Sequence, residues 1–205
     1  MSRDVVLVPG LWMPSAAMRL LAARLARGGY ATHVFAYRGR NAVDVSVERL
    51  RAFSRHALDG RPAHFIGHSL GGVLILEMLS RHPEIPAASA LLIGSPVRGC
   101  HAGRRLGRAR IGRWMMGGSH PLWDEREALW RRPEPLGVIA GTLPIGLGRA
   151  LGRLPGPNDG VVRVAETAVE GMRERTLVPV GHSALLVDRR VAQLATRFMA
   201  HGRFE

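Results

Sequence analysis

The chain contains no lysine, so arginine supplies all 29 of its strongly basic side chains against 16 acidic ones, with a formal net charge of +13. A positive charge of this size favours anionic partners such as nucleic acid or a phospholipid surface. Exclusive use of arginine, however, indicates a compositional bias along the chain, and no nucleic-acid-binding module or aromatic ladder accompanies it. We therefore expect no nucleic-acid partner.

Cysteine is nearly absent as well. The single Cys100 has no second cysteine with which to form an internal disulfide, which fits a reducing compartment. No apolar window is long enough to span a bilayer, and residues 1–4 lead into an apolar strand pattern instead of a signal peptide. We expect a cytoplasmic protein. The histidines lack the spacing of metal ligands, so no metal and no cofactor are expected.

The composition, 46% apolar and 22% charged over 205 residues, is typical of one globular domain, and we predict a single domain over residues 1–205. Short apolar runs predict strands near 4–9, 31–36, 63–67, 89–94, 136–141 and 175–180, and helical periodicity predicts helices near 15–28, 45–58, 70–81 and 184–200. This alternation predicts an α/β fold, with a mostly parallel sheet of about six strands and helices on both faces.

A G-x-S-x-G motif lies where an apolar run ends and a helical pattern begins. Residues 67–71 read Gly-His-Ser-Leu-Gly, after the apolar residues 63–66. A serine on so sharp a strand-to-helix turn is exposed above the sheet edge, and glycines on either side avoid a clash where strand and helix cross. The motif therefore predicts a nucleophile at Ser69.

Two polar residues follow candidate strands later in the chain. Asp159 comes after the apolar run 136–140, and His182 comes after the apolar run 177–180. Because the carboxyl ends of parallel strands share one edge of a sheet, we expect Ser69, Asp159 and His182 to converge. A histidine can remove the serine proton and an aspartate can orient that histidine, so these three residues form the predicted catalytic triad.

Other titratable residues compete for these roles. Asp124 and Glu134 lie in a polar stretch before the strand near 136–141, and we interpret both as solvated. Asp188 falls inside the last helical pattern and is interpreted as structural. His68 precedes the nucleophile, and its place within the strand-turn favours a packing role over proton transfer.

Taken together, these segments resemble the alpha/beta hydrolase superfamily, and within it the bacterial lipase- and esterase-like serine hydrolases. The matching segments are Pro-Gly-Leu-Trp at 9–12, Gly-His-Ser-Leu-Gly-Gly at 67–72, Asn-Asp-Gly-Val-Val at 158–162, Gly-His at 181–182 and, more weakly, the turn at 94–100. The resemblance covers about residues 5–198 and implies the triad order serine, aspartate, histidine. It also implies a trimmed version of the fold, since the strand near 4–9 already leads into the oxyanion loop.

The resemblance further implies an oxyanion hole formed by the backbone N–H groups of Leu11 and Leu70. Such lipases usually carry a histidine where this chain has Pro9, but backbone donors do not require that side chain. The implied reaction is hydrolysis through an acyl-enzyme, in which His182 takes the proton of Ser69 as the hydroxyl attacks an acyl carbon.

Residues 97–133 leave the sheet between two strands and are predicted to form a small cap or lid. Their tryptophan and methionine side chains, together with the tryptophan of the oxyanion loop, suggest an apolar acyl pocket. The residues predicted to bind substrate are Trp12, Trp114, Met115 and Trp123. The basic stretch Arg98–Arg113 favours either an anionic substrate group or a merely solvated surface. The stretch 142–157 is interpreted as a mobile lid or a short surface helix.

Three functional hypotheses follow. The leading one is a serine hydrolase that acts on small-molecule or lipid esters. The second keeps the acyl-enzyme but passes the acyl group to another acceptor, or takes a thioester donor, as an acyltransferase or a thioesterase. The third is a non-catalytic module that docks on anionic surfaces, and retention of all three triad residue types argues against it. Transient contact with a membrane surface fits the charge, and no oligomeric state is predicted.

Overall fold

The computed structural model describes residues 2–13, 15–145 and 153–205 of the chain. In these residues one sheet is formed by β1 (Asp4–Val8), β2 (Ala31–Val34), β3 (Ala63–His68), β4 (Ala87–Ile93), β5 (Leu136–Gly141) and β6 (Glu174–Val178). Every neighbouring pair of strands is parallel, and their order across the sheet is β2-β1-β3-β4-β5-β6. The predicted α/β fold with a parallel sheet of six strands is therefore confirmed.

Helices cover both faces of this sheet. They are α1 (Arg19–Arg27), α2 (Val43–Leu58), α3 (Leu70–Arg81), α4 (His101–Gly107), α5 (Arg110–Met116) and α6 (Arg189–His201), with short 3-10 turns at Ser15–Met18, Gly117–Trp123, Val164–Thr167 and Ser183–Leu186. Side chains of α2 and α3 fill the core on one face, and side chains of α1 and α6 fill the core on the other. Among the described residues, no helix has the length and apolar composition needed to cross a membrane.

The central strands are apolar throughout because both of their faces are buried. In β1, Val6 and Val8 point into the core beneath α2 and α3, whereas Val5 and Leu7 point into the core beneath α1 and α6. Successive side chains of a strand alternate between its faces, so a strand between two helical layers must be apolar at every position. This explains why continuous apolar runs, and not alternating patterns, marked the strands in the sequence.

The direction in which the chain builds the sheet reverses beside β1. The chain runs from β1 outward to β2 and then returns to β3 on the opposite side of β1. Loops that follow β1 and β3 therefore leave the sheet in opposite directions, and ligands bind at such a switch point at the carboxyl edge of parallel sheets. This is the edge at which the chain continues from β3 into the G-x-S-x-G motif.

The end of the chain differs from the predicted helix over 184–200. A 3-10 turn at Ser183–Leu186 comes first, and α6 begins only at Arg189. The Asp188 carboxylate accepts hydrogen bonds from the N–H groups of Arg190, at 2.7 Å, and Val191, at 3.2 Å. Asp188 is thus the N-cap of α6 and not an interior helical residue, which is the position that an aspartate favours.

The segment predicted to be a cap contains α4, α5 and the turn Gly117–Trp123, between β4 and β5. Its inward side chains, among them those of Cys100, Met116 and Trp123, join the core on the side of α2 and α3. Much of this segment therefore extends a helical layer of the fold. Of the stretch 142–157, residues 146–152 lie outside the described residues.

Candidate active site

Ser69 lies on the turn between β3 and α3 in a backbone conformation that a side chain rarely adopts. Its φ is 52° and its ψ is −125°, and such positive-φ strain costs about 1–3 kcal/mol. The Ser69 N–H donates to the carbonyl of Ile93 at 2.9 Å, which ties the turn to the end of β4. Ser69 is 9% exposed and directly precedes α3, so it lies beside the positive end of that helix.

Two glycines bring the chain segments of this turn together. A Cβ atom on Gly71 would overlap the carbonyl oxygen of Val8, so only glycine lets α3 start against the end of β1. A Cβ atom on Gly10 would lie 3.0 Å from the Cβ of Ser69. The loop that follows β1 is therefore in contact with the serine turn.

The two predicted oxyanion donors belong to these touching segments. Leu11 follows Gly10 in the loop, and Leu70 is the first residue of α3. The loop is closed by a hydrogen bond from the Met13 N–H to the Gly10 carbonyl at 3.3 Å. The Tyr37 hydroxyl donates to the carbonyl of Pro9 at 2.9 Å. Sequence reasoning missed this anchor, since no local pattern pairs the segment after β2 with the loop after β1.

The predicted acid and base are in direct contact. His182 Nδ1 lies 2.7 Å from Asp159 Oδ2, and both side chains are buried. The other carboxylate oxygen of Asp159 accepts hydrogen bonds from the N–H groups of Val161, at 3.0 Å, and Val162, at 2.7 Å. The backbone N–H of His182 also donates to the backbone carbonyl of Asp159, at 2.9 Å. Backbone N–H groups therefore fix the Oδ1 atom of Asp159, and its Oδ2 atom holds the imidazole of His182.

A second histidine holds His182 from the opposite side. His68 is fully buried, its Nε2 lies 3.1 Å from the His182 carbonyl oxygen, and the two ring centroids are 4.7 Å apart. Burial, together with the nearby charge of His182, lowers the pKa of His68 to about 3. His68 is therefore a neutral ring whose Nε2–H donates to that carbonyl. Sequence reasoning gave His68 a packing role alone and missed its bond to His182.

The three predicted triad residues thus gather at the carboxyl edge of the sheet. Ser69 directly follows β3, and its neighbour His68 contacts His182 in the loop after β6. His182 in turn contacts Asp159, which lies in the loop segment between β5 and β6. An imidazole paired in this way with a buried carboxylate can accept a proton, because the carboxylate stabilises the charge that the ring gains.

The residues predicted to bind substrate separate into two groups. Trp12 is 49% exposed and its indole N–H donates to the Met115 carbonyl at 3.0 Å, which joins the loop after β1 to α5. Trp114 is 64% exposed beneath the guanidinium of Arg40. Trp123, by contrast, is 5% exposed and belongs to the core. An exposed apolar surface at this end of α5 can therefore involve Trp12, Trp114 and Met115, whereas Trp123 is a packing residue.

The other titratable residues considered for these roles lie in different environments. The Glu134 carboxylate accepts from the guanidinium of Arg132 at 2.8 Å, and this contact lowers the pKa of Glu134. Asp124 is exposed. Cys100 is the buried N-cap of α4, and its burial raises the pKa of the thiol to about 12, so it is not a ready nucleophile. Within the described ranges, no cluster of histidine, cysteine and acidic residues could hold a metal ion.

Comparison with known proteins agrees with the fold. A model for the alpha/beta hydrolase family matches residues 5–201 of this chain. No match was found among curated proteins.

Several solved structures are similar in fold. A metagenomic carboxyl esterase aligns with a TM-score of 0.66 and 18% identity over 87% of this chain, which spans only 64% of that protein's length. A hydrolase from Pseudomonas aeruginosa aligns with a TM-score of 0.65 and 14% identity, over 98% of this chain and 90% of its own. A carboxylesterase from Bacillus subtilis aligns with a TM-score of 0.58 and 15% identity, over 98% and 84%. Identities this low show a common fold alone.

The depressed pKa of His68 predicts a pH dependence of stability. Its pKa is about 3 in the folded protein against an ordinary 6.5, so between these values the unfolded chain binds the extra proton. Stability is therefore lost as the pH falls from 6.5 toward 3, by up to about 1.4 kcal/mol per pH unit from this residue. His68→Gln should remove that part of the slope, measured by urea unfolding at about pH 7 and about pH 5. Equal slopes in both proteins would contradict the prediction.

The matched control is His56→Gln, which changes a histidine on the exposed face of α2. We expect this variant to keep the pH slope of the unaltered protein. A change in slope in His56→Gln as large as that in His68→Gln would show that burial of His68 is not the cause.

Proposed function

The chain belongs to the alpha/beta hydrolase family, and on that premise we propose that it is a serine hydrolase of carboxylic esters that uses Ser69, His182 and Asp159. The observation that carries the proposal is the buried contact of 2.7 Å between His182 Nδ1 and Asp159 Oδ2, one histidine away from a serine in strained geometry. A surface serine would need neither the strain nor the buried acid–base pair.

The proposed reaction begins with attack of the Ser69 hydroxyl on the acyl carbon. His182 takes the hydroxyl proton, and Asp159 stabilises the imidazolium and keeps the second ring nitrogen free to act as the base. His182 then gives that proton to the leaving alcohol, which leaves an acyl group on Ser69. Water, deprotonated by His182, attacks the acyl-enzyme, and the carboxylic acid departs as Ser69 regains its proton.

The negative charge on the tetrahedral oxygen needs donors in place before the reaction. We assign this role to the backbone N–H groups of Leu11 and Leu70, because the loop after β1 touches the Ser69 turn and Leu70 opens α3. Loss of one such donor typically raises a barrier by roughly 3 kcal/mol. The hydrogen bond from the Tyr37 hydroxyl to the Pro9 carbonyl anchors the start of this loop.

Carboxylic esters are the substrate class that we propose. Two of the structurally similar proteins are a metagenomic carboxyl esterase and a Bacillus subtilis carboxylesterase. The exposed Trp12 and Trp114, together with Met115, whose carbonyl accepts from the indole N–H of Trp12, offer apolar surface for an acyl chain near the loop after β1. An uncharged ester with an apolar acyl group therefore fits the site.

Removal of the nucleophile tests the proposal first. Ser69→Ala should lower the turnover of p-nitrophenyl butyrate by about ten-thousand-fold or more, because the triad acts as a unit. Ser80→Ala is the matched control, since Ser80 is an exposed serine on the same helix, α3. Release of p-nitrophenol measures both. Substantial turnover by Ser69→Ala would refute the assignment of the nucleophile.

The acid is tested by a change that keeps size and polarity. Asp159→Asn can present an N–H to His182 Nδ1 and so favours the wrong tautomer, which should cost about ten-thousand-fold in turnover. The exposed Asp124 provides the control, and Asp124→Asn should retain full activity. Near-normal rates in Asp159→Asn with an inactive Asp124→Asn would move the acid to the earlier residue.

A further inference from the structure

Helix α5 exposes two large apolar side chains. Ile111 is 67% exposed and Trp114 is 64% exposed, whereas Gly112 and Met116 of the same helix are buried. Residues three positions apart are neighbours on a helix surface, so Ile111 and Trp114 form one apolar stripe on the solvent side of α5. Single exposed apolar residues are common on proteins, but contiguous ones mark surfaces that bind a partner.

The stripe continues onto the loop after β1. Trp12 is half-exposed, and its indole N–H donates to the carbonyl of Met115 at 3.0 Å, which places Trp12 against the backbone of α5, one residue from Trp114. Its φ is 59°, a backbone conformation that a bulky side chain rarely adopts. The fold therefore holds a strained tryptophan at the surface, in contact with the helix that carries a second exposed tryptophan. We call Trp12, Ile111 and Trp114 the α5 patch.

Arginine side chains border the α5 patch. Arg110 and Arg113 lie on α5, Arg108 lies just before it, and all three are exposed. Within the described residues, none of the three pairs with a carboxylate. The guanidinium of Arg40, from the loop after β2, lies 4.3 Å from the centre of the Trp114 ring. Positive charge therefore surrounds the exposed apolar side chains.

The sequence around this helix lacks acidic residues. Residues 98–123 contain six arginines and no aspartate or glutamate, whereas all 16 acidic residues lie elsewhere in the chain. The ion pair of Arg104 with Glu125, at 2.8 Å, involves α4 and not α5. A compositional bias explains why the basic residues are arginine and not lysine. It does not explain why acidic residues are missing from the segment that carries the α5 patch.

We propose that the α5 patch docks on the surface of an anionic phospholipid membrane. Exposed tryptophan and aliphatic side chains with arginines beside them are typical of segments that lie in the plane of a bilayer interface. There the apolar side chains enter the boundary between headgroups and acyl chains, while the arginines bind anionic headgroups. Tryptophan favours this boundary because its amphipathic ring suits the level of the headgroups.

Charge favours this partner over a second copy of the chain. A symmetric dimer through the α5 patch would bring Arg110 and Arg113 of both copies to the same contact. Like charges across an interface oppose association, and residues 98–123 hold no acidic side chain to offset them. An anionic membrane, by contrast, offers the opposite charge together with an apolar layer. The α5 patch is therefore complementary to such a membrane and not to itself.

Docking through this patch would bring the membrane close to Ser69. Trp12 directly follows Leu11, and a Cβ atom on Gly10 of the same loop would lie 3.0 Å from the Cβ of Ser69. The proposed active site would then take its ester from the lipid phase. Docking itself is independent of the triad, whereas this use of a membrane ester rests on the proposed function.

The experiment measures how much of the whole chain sediments with sucrose-loaded vesicles of phosphatidylglycerol and phosphatidylcholine. Ile111→Ser/Trp114→Ser keeps the net charge and should weaken binding by about tenfold or more, because apolar side chains no longer enter the interface. The matched control, Leu20→Ser/Leu177→Ser, changes two exposed leucines on α1 and β6 and should bind like the unaltered protein. Urea unfolding of each variant shows that it is folded.

A second pair of variants tests the charge. Arg108→Gln/Arg110→Gln should weaken binding to the same vesicles by about tenfold or more, because each arginine near the surface contributes to the attraction. Its matched control is Arg189→Gln/Arg190→Gln, which removes the same charge from exposed positions on α6 and should have a much smaller effect. Vesicles of phosphatidylcholine alone should bind the unaltered protein far more weakly than the anionic vesicles.

Three results would overturn the proposal. The first is an equal loss of binding in the two arginine variants, which would mean attraction by net charge alone. The second is unchanged binding by Ile111→Ser/Trp114→Ser. The third is a dimer in sedimentation velocity that Ile111→Ser/Trp114→Ser converts to a monomer, with no vesicle binding, which would mean that a second copy covers the patch.

The proposed function fails separately from this one. Ser69→Ala should bind the anionic vesicles like the unaltered protein, because Ser69 is not part of the α5 patch. Vesicle binding by a protein without any Ser69-dependent esterase activity would refute the proposed function and leave the docking surface supported. Esterase activity without vesicle binding would refute the docking surface alone.

Discussion

The tight passage of the chain from β3 into α3 is the constraint on which the rest of the site depends. Gly71 lets α3 start against the carbonyl of Val8, and Ser69, on the turn between β3 and α3, has a positive φ. The same crossing brings the loop after β1 against the turn, through Gly10. One packing contact thus places the serine, the start of a helix and the loop with the second proposed donor side by side. The strained backbone at Ser69 costs about 1–3 kcal/mol. Packing of the two hydrophobic cores, one on each face of the sheet, offsets this cost.

The proposed base is held by its neighbours on two sides. Asp159 binds His182 through both a side-chain and a backbone hydrogen bond, and His68 donates to the His182 carbonyl. These groups are buried, and hydrogen bonds are electrostatically stronger in a medium of low dielectric constant than in water. The neutral state of His68 matters here, since a second positive ring 4.7 Å away would oppose the charge that His182 must gain during the reaction. A single residue of the elbow motif thereby links the proposed nucleophile to the proposed base.

Much of the fold could be predicted from the sequence because its strands and long helices have simple patterns. The bounds of α3 and β5 agree with prediction, and Asp159 and His182 meet as their positions after strands implied. The segment with α4 and α5 was harder, since its glycines and arginines give no clear helical period. Burial of Trp123 and the bond from His68 to His182 depend on contacts between segments far apart in sequence. Local patterns carry no information about such contacts.

The central claim, that Ser69 is the activated nucleophile, is tested most directly by covalent trapping. The protein would be treated with a fluorophosphonate probe, digested and analysed by mass spectrometry to locate the modified residue. Phosphorus in the probe reacts with a serine only when a base activates the hydroxyl and the developing charge is stabilised. The account predicts modification of the peptide that contains Ser69, at Ser69 alone. Modification of a different serine, or no modification of the folded protein, would contradict it.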